Sequence, residues 1–154
     1  IDAYQREATV YIFGNGGSGA TASHFVGDFN KGISEALDKK FHFICLNDNI
    51  PTVLSIANDI SYEEIFAFQL KGNLKSSDLV IAISGSGNSE NVMKAVEYAK
   101  EHNCEVVAIT GYNGGRLREF ADYNMHVAVD DMQIVEDLHM SFCHMMYHIF
   151  KDIL

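Results

Sequence analysis

Basic residues are scarce in this chain: 11 lysines and arginines stand against 21 aspartates and glutamates, for a net charge of −10. Phosphodiester backbones attract basic surfaces, so this balance argues against direct nucleic-acid binding and leaves any bound phosphate to backbone and hydroxyl donors. No apolar run has the length needed to cross a bilayer, and Ile1-Asp2-Ala3-Tyr4-Gln5-Arg6 has no feature of a signal peptide, which points away from a membrane and toward the cytoplasm. Cysteines are few. Cys45, Cys104 and Cys143 are odd in number, widely spaced and set in apolar patterns, so free buried thiols are expected rather than disulfides or a zinc knot. Repeats and low-complexity tracts are missing, and so is the nucleotide loop G-x-x-x-x-G-K-[ST].

What is present is an ordinary globular composition. With 154 residues, 47% apolar and 21% charged, the chain is long enough for one domain with a single good core. Apolar runs alternate with helical periodicity, the pattern of βαβ units around a parallel sheet. Strands are expected at 9–13, 41–46, 79–84, 105–110 and 123–129. Helices are expected at about 17–30, 51–57, 65–70, 89–102 and 115–120, with a long one from about 132 to the C-terminus. The predicted architecture is a three-layer, doubly wound, parallel five-stranded α/β sheet with ligand loops at the carboxyl ends of its strands. The last helix spreads Leu138, Phe142, Met145, Met146, Ile149 and Ile153 over a face too wide for one small sheet, so it is expected to pack in an oligomer interface. Residues 1–8 read as a short stub, with the segment that would cover this helix expected to be missing.

Two strand-to-helix loops carry the strongest functional signal: Gly14-Asn15-Gly16-Gly17-Ser18 and Ile83-Ser84-Gly85-Ser86-Gly87-Asn88-Ser89. Glycine lets the backbone approach an anion, and a helix starting just beyond aims free N–H groups and its positive dipole end at the same point. Ser84, Ser86 and Ser89 add neutral donors in place of a lysine. The first loop, Gly14 to Gly19, is read as offering no G-x-G-x-x-G fingerprint, and no ribose-binding acid follows it at the right distance, so no nucleotide cofactor is expected.

Acids and imidazoles cluster on two helices. His24 and Asp28 are four apart in the helix opened by the first loop, hence on one face, among apolar Phe25, Val26 and Phe29. Glu136 and His144 lie two turns apart on the last helix and outweigh a purely structural reading, whereas His139 and His148 read as structural and His42, His102 and His126 as structural or surface residues. A phosphate anchor with an imidazole and a carboxylate suits proton shuttling on a phosphorylated sugar. Two histidines and two carboxylates equally suit a divalent metal such as zinc that polarises a carbonyl, and spacing leaves both open.

Taken in order, Gly14-Asn15-Gly16-Gly17-Ser18, His24-Phe25, Ala57-Asn58-Asp59, Tyr62-Glu63-Glu64-Ile65-Phe66 and Ile83 to Ser89 resemble the sugar isomerase (SIS) domain of the phosphoheptose isomerase type. The resemblance covers nearly the whole chain. It implies a flavodoxin-like SIS fold and a homotetramer. The implied reaction interconverts sedoheptulose 7-phosphate and a manno-heptose 7-phosphate through an enediol, feeding heptose synthesis for lipopolysaccharide or capsule. Under it, Ser18, Ser84, Ser86 and Ser89 bind phosphate with the help of Gly16 and Gly85, while Asn15, Asn58, Asp59 and Glu136 contact the sugar. Asp28 and His144 are the implied catalytic pair, and one zinc per subunit would use His24, Asp28, Glu136 and His144. Three positions depart from the family pattern: Asp28 stands for a glutamate, Glu136 for a glutamine, and Gln133 for a frequent aspartate. The alternative is a non-catalytic sugar-phosphate-binding module, or a tetrameric regulatory factor that binds the bacterial replication initiator.

Overall fold

The computed structural model describes residues 1–154. Five strands, β1 (Thr9–Gly14), β2 (His42–Cys45), β3 (Leu79–Ser84), β4 (Glu105–Thr110) and β5 (Tyr123–His126), form one sheet. All pairs are parallel, in the order β2-β1-β3-β4-β5. Alternation along the strands builds two cores. Tyr11, Phe13, Val80, Ala82, Val106 and Ala108 face one side, under α3 (Ile50–Asp59), α4 (Ala67–Leu70), α5 (Glu90–Glu101) and α6 (Gly115–Phe120). Val10, Ile12, Ile81, Ile83 and Ile109 face the other, under α2 (Gly16–Gly27) and α7 (Met132–Ile153). Near-continuous apolar strands are what a sheet covered on both faces requires.

The order reverses between β1 and β3: the chain leaves β1 toward β2 and later returns on its other side. That is the crevice where open α/β sheets bind ligands, and both glycine–serine loops open onto it.

The observed elements depart from the expected ones at their ends. β5 stops at His126 rather than Val129 because it is an edge strand and its only partner, β4, ends at Thr110, opposite His126. The N-terminal stub forms one helical turn, α1 (Asp2–Gln5), which Arg6 ties to the sheet by donating to the Ser77 carbonyl and the Glu105 carboxylate. The stretch expected as one helix over 17–30 is α-helical only to Gly27, then widens into a π-helical turn over Asp28–Ile33. Ser34 closes that turn by donating to the Phe29 carbonyl at 2.7 Å and accepting from the Phe41 N–H at 2.9 Å. Phe29, locked in a stack with Phe43, anchors it to the core.

Candidate active site

The cleft at the sheet's switch point has a volume of about 230 Å³ and is lined by Asn15, Gly16, Gly17 and Ser18 from the first loop and by Ser84, Gly85, Ser86 and Ser89 from the second. Met132 and Glu136 of α7 close its side. The two helices that start here have no side-chain cap: Asn15 and Ser89 occupy the cap positions of α2 and α5 without bonding the first-turn N–H groups. Of the other helices, two are capped by a side chain, Asn49 accepting from Thr52 at the start of α3 and Asp131 from Ile134 at the start of α7, whereas the short α1, α4 and α6 are not. Two uncapped helix ends converging on one cleft form a site for an anion.

The loop is held open by its own bonds. Ser84 and Ser89 hydroxyls lie 3.3 Å apart, and the Ser84 oxygen also accepts from the Gly87 N–H at 3.2 Å. Gly87 has φ +67°, and a Cβ there would collide with the Gly114 carbonyl, so glycine is required on both counts. At Gly17 a Cβ would strike the Glu136 carboxylate, which places that acid directly over the first loop.

Asn15 is fixed rather than free. Its amide pairs reciprocally with that of Asn91, at 2.9 and 2.8 Å, and its oxygen also accepts from the Tyr62 hydroxyl at 3.0 Å. Asn91 is buried, and sequence reading did not single it out; its position in the first turn of the helix opened by the second loop was the available signal. Asn58 and Asp59 stand exposed at the end of α3, bonded to each other at 2.8 Å, outside the residues that line the cleft.

The second group lies along the seam between α2 and α7. His24 Nε2 is 3.0 Å from His144 Nε2 and 3.4 Å from Asp28 Oδ2. His24 lies eight residues beyond Gly16, and His144 eight beyond Glu136, so each is about 12 Å down its helix from the cleft. Asp28 opens the π-helical turn, a type of irregularity frequent at functional sites. Cys143, fully buried, donates its thiol to Asp28 Oδ2 at 3.7 Å, and burial together with the adjacent carboxylate pushes that thiol up to about 12. His24, Asp28 and Cys143 offer ligand atoms within 4.8 Å of one another, a donor set that fits a divalent metal. Glu136 does not join this group and stays at the cleft. His139 is a core residue, as its sequence context suggested: its ring donates to the Thr110 carbonyl at 3.0 Å, and burial lowers its basicity. All three cysteines are free and buried.

One reading needs correction. The first loop does spell G-x-G-x-x-G through Gly14, Gly16 and Gly19. Just beyond β2, where a ribose-binding acid would be sought, Asn47 spends its amide on the Gly14 backbone, at 2.7 Å to the carbonyl and 3.3 Å from the N–H.

Comparison with known proteins agrees with this arrangement. The SIS domain profile matches residues 1–111. A probable phosphoheptose isomerase of Thermoplasma acidophilum is 38% identical over 134 residues, 87% of this chain and 73% of that protein. The phosphoheptose isomerase of Helicobacter pylori is 34% identical over 146 residues, 95% of this chain and 76% of that one. The solved structure of a phosphoheptose isomerase from Neisseria gonorrhoeae superposes with a TM-score of 0.90 at 25% identity, covering 98% of this chain and 80% of that one. A chain of this fold, with two uncapped helix ends over a serine-lined cleft and relatives of that identity and extent, belongs to the SIS domain family, in its phosphoheptose isomerase branch.

Proposed function

We propose that the chain is an aldose–ketose isomerase that interconverts sedoheptulose 7-phosphate and a manno-heptose 7-phosphate through an enediol. The observation that carries this reading is the pairing of an anion cleft with an acid–imidazole group about 12 Å along the same two helices. That span suits an extended phosphosugar of several carbons.

In this reading the hydroxyls of Ser18, Ser84, Ser86 and Ser89 and the first-turn N–H groups of α2 and α5 hold the phosphate. Asn15, kept in one orientation by Asn91 and Tyr62, and Glu136 bond sugar hydroxyls, while Asn58 and Asp59 serve the rim beside Tyr62. The Asp28 carboxylate takes the proton from the carbon next to the carbonyl, forming the enediol. His144 moves a proton between the two neighbouring oxygens, and Asp28 returns its proton to the adjacent carbon. Zinc, where bound, would be held by His24 and Asp28 and would polarise the substrate carbonyl. The exposed apolar residues of α7 support a homotetramer, and three free thiols suit the reducing cytoplasm.

The test is to incubate the purified protein with sedoheptulose 7-phosphate and follow formation of the aldose phosphate. His144→Gln should lower kcat by about 100-fold or more, the usual contribution of a positioned acid–base group, while binding of the sugar phosphate persists. Turnover near wild type in that variant would locate the proton shuttle elsewhere. Sugar-phosphate binding without turnover in the wild type would instead favour a sensor module.

A further inference from the structure

Asn15 lines the cleft, and what it can offer a ligand there is fixed by three other groups. An asparagine side chain carries two acceptor lone pairs on its oxygen and two N–H donors on its nitrogen, so its bonds can be counted. The constraints start at the Val92 backbone N–H in the first turn of α5. That group can only donate, so the atom it meets at 2.9 Å is the oxygen of the Asn91 amide. With the buried Asn91 pinned this way, its nitrogen faces the Asn15 oxygen at 2.8 Å and its oxygen faces the Asn15 nitrogen at 2.9 Å. Tyr62 then donates its hydroxyl to the same Asn15 oxygen at 3.0 Å. Both lone pairs of Asn15 are therefore taken, and a single N–H remains for a ligand.

A plain stitch between the two glycine–serine loops is the bland account of this pair, and one bond between Asn15 and Asn91 would serve it. Tyr62 argues for more. Its side chain is exposed, and it reaches Asn15 from the 3₁₀ turn Tyr62–Glu64 rather than from either loop. Glu64, at the far end of that turn, accepts from Lys94 of α5 at 3.2 Å and from Lys71 at 2.8 Å. Lys94 lies three residues beyond Asn91, on the neighbouring turn of α5, so the two residues that grip Asn15 come from elements tied to each other. Reversing the Asn15 amide would set its nitrogen against that of Asn91 and its oxygen against the Asn91 oxygen, leaving both bonds of the pair unmade.

Resting on the sugar-phosphate reading of the cleft, we propose that Asn91 and Tyr62 are positioning residues that hold Asn15 as a one-way donor. The ligand atom beside Asn15 is then an oxygen with a free lone pair, on the phosphate or on the part of the sugar next to it. The acid–imidazole group lies about 12 Å away along α2. Such a donor grips bound substrate and transition state alike, so losing it raises KM and leaves kcat nearly unchanged.

The test is a mutant cycle read by calorimetry, with sedoheptulose 7-phosphate and inorganic phosphate as separate probes and with KM and kcat measured alongside. Asn15→Ala should weaken sugar-phosphate binding by about 10-fold or more, the scale of a bond to a charged oxygen. Asn15→Asp keeps the size and the acceptors but not the donor, and should weaken it at least as much. Asn91→Ala and Tyr62→Phe should each raise the dissociation constant and KM by about 3-fold to 10-fold with kcat little changed. Neither should weaken binding further when combined with Asn15→Ala, because residues that act through one partner are not additive. Folding is checked by circular dichroism, and Tyr62→Phe, which removes one oxygen from an exposed side chain, carries the same cycle if Asn91→Ala does not fold. Parallel weakening of inorganic phosphate places the acceptor on the phosphate, and weakening of the sugar phosphate alone places it on the sugar. An Asn15→Asp variant that binds like the wild type would overturn the donor assignment. Effects of Asn91→Ala or Tyr62→Phe that persist in full without Asn15, or single variants with unchanged binding, would overturn the positioning roles. Binding without turnover in the wild type would sink the isomerase reading and leave this cycle intact, whereas a wild type that binds neither probe would overturn both.

Discussion

In the proposed reading, serine hydroxyls and backbone N–H groups do at this cleft what a lysine does in nucleotide loops, in a chain with ten more acids than bases. Neutral donors contribute about 0.5 to 1.5 kcal/mol each, and more when the acceptor is charged. Replacing Ser84 and Ser86 together by alanine should therefore raise KM for the sugar phosphate by about 10-fold to 100-fold, with kcat changed much less, because the proposed reading sets both hydroxyls at the phosphate and not at the reacting carbons. Steady-state kinetics on the double variant decides it, and an unchanged KM would remove these serines from the phosphate site. His139 makes a second residue-scale prediction. Burial holds its ring below the ordinary imidazole range in the folded chain, partly offset by its bond to the Thr110 carbonyl. The unfolded chain binds a proton near about pH 6.5 and the folded one only at lower pH, so stability rises with pH in between. The contribution of the neutral ring is complete above about 6.5 and is lost as pH falls toward the folded-state value, at most about 1.4 kcal/mol per pH unit. Urea midpoints at about pH 7.5 and 5.5 should fall further for the wild type than for His139→Gln. Equal falls would assign the acid sensitivity to other groups.

At the scale of elements, β3 and β4 match their sequence-based expectation end to end because central strands, covered on both faces, write their burial as unbroken runs such as Leu79-Val80-Ile81-Ala82-Ile83. Edges were harder to read: Val127 and Val129 look like strand residues, yet the strand ends where β4 stops offering partners. The site was legible in part for the same reason. The half proposed to hold phosphate consists of loop residues whose glycines and serines have few other uses, so both loops stood out. Its second half depends on where α2 and α7 cross, and no spacing within either helix brings His24 to His144 or Cys143 to Asp28. The π-helical turn also left no mark on the residue pattern, since Phe25, Phe29 and Ile33 keep a helix-like apolar rhythm through it. What holds it is tertiary: Ser34 bridges Phe29 and Phe41, and the Asn30 side chain donates to the Phe43 carbonyl and accepts from its N–H, each at 2.8 Å. By ending the α-helix at Gly27, this turn sets the height at which Asp28 meets α7.

At the scale of the whole molecule, α7 covers the sheet with one face and leaves the other bare. Val135, His139, Cys143 and Phe150 are buried, while Ile134, Leu138, Met145, Ile149 and Ile153 form an exposed stripe along 20 of its residues. Spacings of four and seven keep those five side chains within about a third of the helix circumference. An apolar stripe of this length on an otherwise acidic chain calls for a partner surface, and a second copy presenting the same stripe meets it with twofold symmetry. The wild type should sediment as a tetramer at micromolar concentration. Leu138→Lys combined with Met145→Lys places two charges inside that seam, so the variant should sediment as smaller species. Its circular dichroism should stay unchanged, because both side chains are exposed within one chain. The stripe flanks Glu136 and His144 on the same helix, so dissociation should also lower isomerase activity, and activity should recover with protein concentration if assembly completes the site. A wild type that sediments as a monomer, or a double variant that keeps the tetramer, would show that α7's apolar face serves another purpose.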